Sequence, residues 1–475
     1  MSPRTPTERL PVPGPLGVRR AGVLLHVTSL PGHGGFGPAA YEFVDFLAAA
    51  GASVWQVLPL VPVHEDEGSP YNSLSAMAGD PSLIDPGLRA EHGLEALAGL
   101  SDEQRTQYDV WCDQQAEWLD PYVEFRVLRE LQGGTDWQTW EPGLRDRDPD
   151  RVAAVLGPHR DRVEALRLEQ WVFDEQWRAL RAYAASRDVL LFGDLPIFVA
   201  PDSADVWASR ELFSLDAEGR PTTVTGVPPD YFAVDGQRWN NPHYDWDRMA
   251  ANGFAWWRRR IARQRELFDL VRIDHFRGFE AAWHVPVAAA TAREGHWVVG
   301  PGAAVLEALV ETAGPGTLVA EDLGVITADV EALREEFGLP GMKVLQFAFD
   351  GDPDNAYLPE HHQERSVVYT GTHDNDTTCG WWAALDERSR REVRAHLVDA
   401  DEPMAWALVR LALGSKARLA VVPAQDLLGL GSESRMNTPG TAEGNWTWRA
   451  EAGSFGPDLA ARLRSLVEDT GRLPE

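Results

Sequence analysis

Leu267–His275 reads LFDLVRIDH, an apolar run that ends abruptly in charge. On a strand, alternate residues share a face, so Arg272 and Asp274 point one way while Ile273 packs on the other side. Apolar residues on both faces suit a strand buried on both sides, as parallel sheets covered by helices require. Seven further runs of this kind lie along the chain: Gly22–Val27, Ser53–Leu58, Val189–Leu195, Thr317–Leu323, Met342–Phe347, Ser366–Thr372 and Leu419–Gln425. Helical patterns fill most of the gaps, at Ala39–Ala50, Ala303–Thr312, Asp329–Phe337, Glu387–Val398 and Pro403–Leu413. Eight β–α units in series predict a (β/α)8 TIM barrel rather than an open sheet.

Two gaps are too long for ordinary βα loops. After the second strand, residues from about 60 to 188 read as a loop followed by a largely helical insertion. After the third, residues from about 196 to 247 form a loop-rich insertion with Gly226–Phe232 (GVPPDYF) and Gly236–Pro242 (GQRWNNP). Both leave from C-terminal strand ends, where barrels build active sites. The expectation is a single catalytic barrel over residues 1–475 carrying two large insertions.

The formal net charge of −29 disfavours nucleic acid and anionic membranes, while a neutral substrate such as a sugar is compatible. Two cysteines cannot build a disulfide framework, and no signal peptide or apolar spanning run is visible, so a cytoplasmic protein is expected. No phosphate-cradling glycine loop and no pyridoxal-lysine context appears, so no cofactor is expected. Metal-dependent barrel chemistry is disfavoured because His275 and His373 lack ligand partners at useful spacing.

Three strand ends carry the chemistry. An arginine beside a carboxylate, as in Arg272 and Asp274, holds that carboxylate ionised, which suits a nucleophile; a buried ion pair without chemistry has the same appearance. The fifth strand ends in AEDLG, where one of Glu321 and Asp322 should face the mouth and the other can cap the next element. The seventh ends in YTGTHDNDT, crowding His373, Asp374 and Asp376 into a polar turn. Together they place carboxylates at the ends of strands four, five and seven of one barrel. Two-carboxylate chemistry of this kind cleaves glycosides: one attacks the anomeric carbon, and a second protonates the leaving oxygen.

These segments resemble the catalytic segments of the 4-α-glucanotransferases (amylomaltase or disproportionating enzyme) of the α-amylase superfamily. The resemblance continues in Ser69–Ile84, Gly193–Trp207, Gly226–Pro242 and Arg435–Arg449 (RMNTPGTAEGNWTWR), and covers nearly all of the chain from Gly22 onward. It implies that Asp274 is the nucleophile, Glu321 the general acid/base, and Asp374, with His373, the transition-state stabiliser. It further implies that Arg272 flanks the nucleophile, that Tyr71 stacks on the reacting glucose, and that Ser69 and Asp202 belong to the substrate site. Gly226–Pro242 would be a lid over the acceptor groove, with Tyr231, Phe232 and Trp239 as stacking candidates. The implied donors are α-1,4-glucans, with glucose or maltodextrin as acceptor and no metal; an α-glucan hydrolase would use the same triad. The chain departs from the family at Arg238 and Asn240, where an apolar residue and a glycine are more frequent, and at Asn72, where glutamine is usual.

Overall fold

The computed structural model describes residues 14–64, 67–229, 234–399, 401–441 and 443–473. Eight parallel strands form one sheet: β1 (Arg20–Leu24), β2 (Val54–Gln56), β3 (Leu190–Pro196), β4 (Leu270–Asp274), β5 (Leu318–Ala320), β6 (Gly341–Val344), β7 (Ser366–Tyr369) and β8 (Leu419–Pro423). Their order is β6-β7-β8-β1-β2-β3-β4-β5. The circle is completed where Ala320 N–H donates to Pro340 O, at 2.8 Å, between β5 and β6. This is the (β/α)8 barrel that the apolar runs predict.

Side-chain parity divides the core in two. Leu24, Val54, Phe192, Leu270, Val319, Met342, Val367, Tyr369, Leu419 and Val421 pack together inside the barrel. The alternate residues, among them Val23, Leu191, Val271, Ile273, Val368 and Val422, pack outward against the helices. Because the strand period is two, Asp194, Arg272 and Glu321 share a face with Phe192, Leu270 and Val319, and point inward one layer above that core. A fully buried Leu or Phe in such a layer contributes about 1.5–3 kcal/mol, so the apolar floor fixes the height at which the polar layer sits.

The β2–β3 connection is mostly helical, with a 30-residue helix, Asp102–Leu131, opened by a Ser101/Gln104 capping box, and the 26-residue Arg160–Ala185. The β3–β4 connection supplies two strands, Thr223–Val227 and Gln237–Pro242, to a separate antiparallel sheet. The other two strands of that sheet, Ala281–Pro286 and His296–Val299, come from the β4–β5 connection, which the sequence reading did not single out. Between β6 and β7 there are only short 3-10 turns, Leu345–Phe347 and Pro359–His361, instead of an α-helix. Among the described residues, no helix is long and apolar enough to cross a membrane.

Candidate active site

The centre of the barrel mouth is a buried guanidinium. Arg272 Nη1 donates to both oxygens of Asp194, at 2.8 and 2.6 Å, and Nη2 donates to Asp274 Oδ1 at 2.7 Å. The pairing of β3 with β4 sets Asp194 opposite Arg272. Tyr71 O–H donates to Asp194 Oδ2 at 2.6 Å, so this one carboxylate anchors both the arginine and the tyrosine. Burial pushes the Asp274 carboxyl up to about 8; Arg272 opposes this, while the carboxylates of Asp194, Glu321 and Asp374 reinforce it.

Glu321 stands one residue beyond β5. Ile273 pairs with Ala320, so Asp274 and Glu321 follow as opposed positions at the tips of neighbouring strands. Glu321 Oε2 accepts from His275 N–H at 2.7 Å and Oε1 from Leu323 N–H at 2.8 Å. His275, whose amide meets the carboxylate, has φ +55°, a left-handed conformation that costs a non-glycine residue about 1–3 kcal/mol. Burial raises the Glu321 carboxyl above its ordinary value. Asp322 faces outward, where it accepts from Met342 N–H at 2.6 Å and pairs with Arg334 at 3.1 Å. The alternative at AEDLG is thereby resolved by parity.

Asp374 lies in the loop after β7. Its Oδ1 accepts from Asn437 Nδ2 at 2.6 Å, and its Oδ2 is 3.4 Å from His373 Nε2. Burial lowers the pKa of His373, so its imidazole is neutral near pH 7. The His373 ring stacks on Tyr71, with centroids 5.1 Å apart and planes within 6°. Trp446, at φ +63°, tilts against the same two rings at 5.8 and 6.1 Å. These aromatic faces make one wall beside the carboxylates.

The remaining expected residues fall in different places. Ser69 Oγ accepts from Tyr71 N–H at 3.3 Å, shaping the turn that presents the tyrosine. Trp239 sits on the Gln237–Pro242 strand and meets His275 edge-on at 4.8 Å, adjacent to Asp274. Arg238 and Asn240 engage each other, Nε to Oδ1 at 2.8 Å, and Arg238 also holds the Val287 carbonyl at 3.0 Å. Asp202 is bound to Arg129 at 3.0 Å and to Trp137 N–H at 3.2 Å, and neither bond reaches the Arg272 centre. It fastens the turn after β3 to the helical insertion. Tyr231 and Phe232 lie outside the described residues.

Asp194 and Asn437 were missed in the sequence. The signal for Asp194 was available, since it stands two residues after the interior Phe192 at the end of an apolar strand. Asn437 had no such signal beyond its place in the NTPGT segment. Among the described residues there is no group of three side chains able to hold a metal ion.

A barrel whose strand tips gather paired carboxylates, an arginine beside one of them and a wall of aromatic rings is the architecture of an enzyme acting on glycosides. The family model for 4-alpha-glucanotransferase (glycoside hydrolase family 77) matches residues 25–101 and 88–454. The chain is 46% identical to a 4-alpha-glucanotransferase of Thermus thermophilus, covering 96% of this chain and 99% of that one. It is 39% identical to a chloroplastic/amyloplastic 4-alpha-glucanotransferase of Solanum tuberosum, over 98% of this chain and 88% of the relative. The amylomaltase of Streptococcus agalactiae, solved with acarbose, superposes with a TM-score of 0.91 at 32% identity, covering 96% of this chain and 99% of that one. The chain belongs to the 4-alpha-glucanotransferase family.

Proposed function

We propose that this 4-alpha-glucanotransferase works by retaining double displacement on α-1,4-glucans. Asp274 attacks the anomeric carbon of a donor glucose unit and forms a covalent β-glucosyl-enzyme. Glu321 gives its proton to the departing 4-oxygen, and the shortened glucan leaves. Glu321 then takes the proton from the 4-hydroxyl of glucose or a maltodextrin, whose oxygen displaces Asp274 and restores the α linkage. The observation that carries this is the opposed placement of Asp274 and Glu321 on neighbouring strand tips. Side chains on neighbouring strand tips stand close together, as the ~5–5.5 Å carboxyl separation of retaining enzymes needs, whereas inverting ones need ~6.5–9.5 Å.

The charge balance supports the assignment. In the empty site, ionised Asp274 is disfavoured by burial and by its acidic neighbours. An oxocarbenium-like sugar brings the missing positive charge, so the interaction strengthens as the transition state forms. Asp374, aimed by Asn437, is suited to grip ring hydroxyls of that sugar. Each Glu321 oxygen accepts one backbone N–H bond, which aims the carboxyl and leaves a lone pair free to carry the proton it donates. Tyr71 and Trp239 provide stacking faces for donor and acceptor sugars. The largely acidic surface and the free Cys112 and Cys379 favour the cytoplasm as its location. Incubation with maltotriose tests the proposal: glucose with a ladder of longer maltodextrins supports transfer. Maltose and glucose alone would instead identify a hydrolase.

A further inference from the structure

We propose that Asp426 is a positioning residue for the transfer reaction: one buried carboxylate that ties together both ends of the loop carrying His373 and Asp374. The inference rests on the role assigned above to Asp374.

Asp426 lies in the first turn of the helix Ala424–Leu428, directly after β8, and is 1% exposed. Its Oδ2 accepts from Thr370 Oγ1 at 2.5 Å and from Thr378 Oγ1 at 2.7 Å, while Oδ1 accepts from Thr378 N–H at 2.7 Å. Thr370 is the first residue beyond β7, and Thr378 opens the helix Thr378–Ala384. The seven residues between them are the active-site loop, Gly371–Thr377. Both threonines are fully buried.

The energetics argue against stability as the reason for this carboxylate. Among the described residues no arginine or lysine forms an ion pair with Asp426, and burial raises its carboxyl above the ordinary range. A buried anion without a counter-cation is costly, and apolar residues of similar volume commonly serve stability as well or better. What apolar packing cannot supply is direction. Three hydrogen bonds onto one carboxylate fix the spacing of the two loop ends, and hence the angle at which the loop crosses the mouth. The middle of the loop is held separately. Asn375 Oδ1 accepts from Thr372 N–H and Oγ1, both at 2.9 Å; Asp376 O accepts from Gln346 at 2.8 Å; Asp376 Oδ2 accepts from Ser432 at 2.7 Å. Asn437 then orients the Asp374 carboxylate itself. A displacement of about 1 Å in such a group lowers turnover by about 100-fold.

The test compares Asp426→Asn, Thr378→Val, Thr378→Ser and Asp374→Asn at a temperature where circular dichroism shows each protein folded. Asp426→Asn removes the charge and turns one acceptor oxygen into a donor, so that the Thr370 and Thr378 hydroxyls must accept instead of donate. Its kcat for maltotriose disproportionation is expected to fall at least 30-fold, with KM within threefold of the parent. Acarbose inhibition should weaken in step with kcat/KM, a change that a loss of global stability would not produce. Thr378→Val should lower kcat about fivefold and Thr378→Ser recover it. If Asp426→Asn does not fold, the Thr378 pair carries the test alone. A folded Asp426→Asn or Thr378→Val with kcat within twofold of the parent, while Asp374→Asn is inactive, overturns the inference. Full turnover in Asp374→Asn would instead overturn the role of Asp374 on which it rests.

Discussion

Asp194→Asn is the most informative single change, because one side chain there serves both the arginine and the tyrosine. The Asp194 side chain is fully buried, and that of Arg272 is 5% exposed. Breaking a buried pair by neutralising one partner costs about 3–5 kcal/mol, since the other charge stays buried. Asparagine keeps one acceptor oxygen for Arg272, which puts the expected loss near the lower bound, about 3 kcal/mol. The new amide group also sets a donor against either the guanidinium or the Tyr71 hydroxyl, and the charged acceptor now bonded to Tyr71 at 2.6 Å is gone.

The same change alters chemistry in a definite direction. The Asp194 carboxylate is one of the groups raising the Asp274 carboxyl, and Arg272 opposes it. Removing the anion frees the guanidinium for Asp274 alone, so the Asp274 pKa falls and the acid limb of kcat/KM moves to lower pH. A nucleophile held more tightly by its arginine is also weaker, so the plateau kcat falls. Urea unfolding and initial rates of maltotriose disproportionation between about pH 5 and 9 measure both effects. A variant within about 0.5 kcal/mol of the parent, with its acid limb unmoved, would refute the account of this buried centre.

Four further outcomes are expected. Glu321→Gln lowers transfer by about 10²–10⁴-fold while maltodextrin binding, followed by calorimetry, persists; unchanged turnover removes the acid/base assignment. Asp274→Asn is more stable than the parent, by on the order of a few kcal/mol at pH 8. The sign follows from a folded pKa of about 8 against 3.8 unfolded. The stabilisation from protonated Asp274 is complete below about pH 4 and lost as pH rises through 8, so the advantage of the variant grows across that window in thermal melts. Trp239→Ala raises KM for maltotriose about threefold to tenfold with kcat little changed, matching the ~0.5–1.5 kcal/mol typical of an aromatic contact; a fall confined to kcat would count against a stacking role. Dialysis against a chelator leaves the transfer rate unaltered, and recovery of a lost rate by added divalent metal would contradict the metal-free mechanism.

The barrel was legible because its strands are buried on both faces and read as apolar runs that stop at charge, as VRID and LVAE do. Boundaries were less so. Leu267 looks like the start of a strand, yet it closes the helix Ala255–Leu267, where Phe268 N–H donates to Gln264 O. Likewise the apolar run Gly22–Val27 predicts a strand there, and β1 occupies Arg20–Leu24, since an apolar run does not mark where ladder pairing begins. The strands Ala281–Pro286 and His296–Val299 passed unnoticed because AAWHVP and HWVV are short and their partners lie in a different connection. At the site, Asp202 rests on the family resemblance alone, while Asp194 stands inside an apolar strand two residues after the interior Phe192. Burial explains the difference, because a carboxylate whose partners are remote in sequence looks like a strand end until its register with Arg272 is known.

The charge at the mouth also bears on the proposed reaction. Asp194, Asp274, Glu321 and Asp374 gather around the Arg272 guanidinium, and the Arg435 guanidinium meets the backbone carbonyl of Asp374, so the carboxyl groups outnumber the cations. The surplus is carried by neutral donors: His275 and Leu323 amides for Glu321, and the Asn437 side chain for Asp374. Two of the loops that supply this setting hold non-glycine residues at positive φ, His275 and Trp446. Fixed dipoles leave the anionic surplus in place, and a neutral glucan in its ground state does little to relieve it. On the proposed mechanism, the positive charge that develops at the anomeric carbon relieves it most, and the arrangement would favour the transition state over the bound sugar. A lysine introduced to neutralise the surplus, as in Asn437→Lys, is therefore expected to raise thermal stability while lowering kcat. Higher stability with undiminished kcat would show that the surplus is incidental to catalysis.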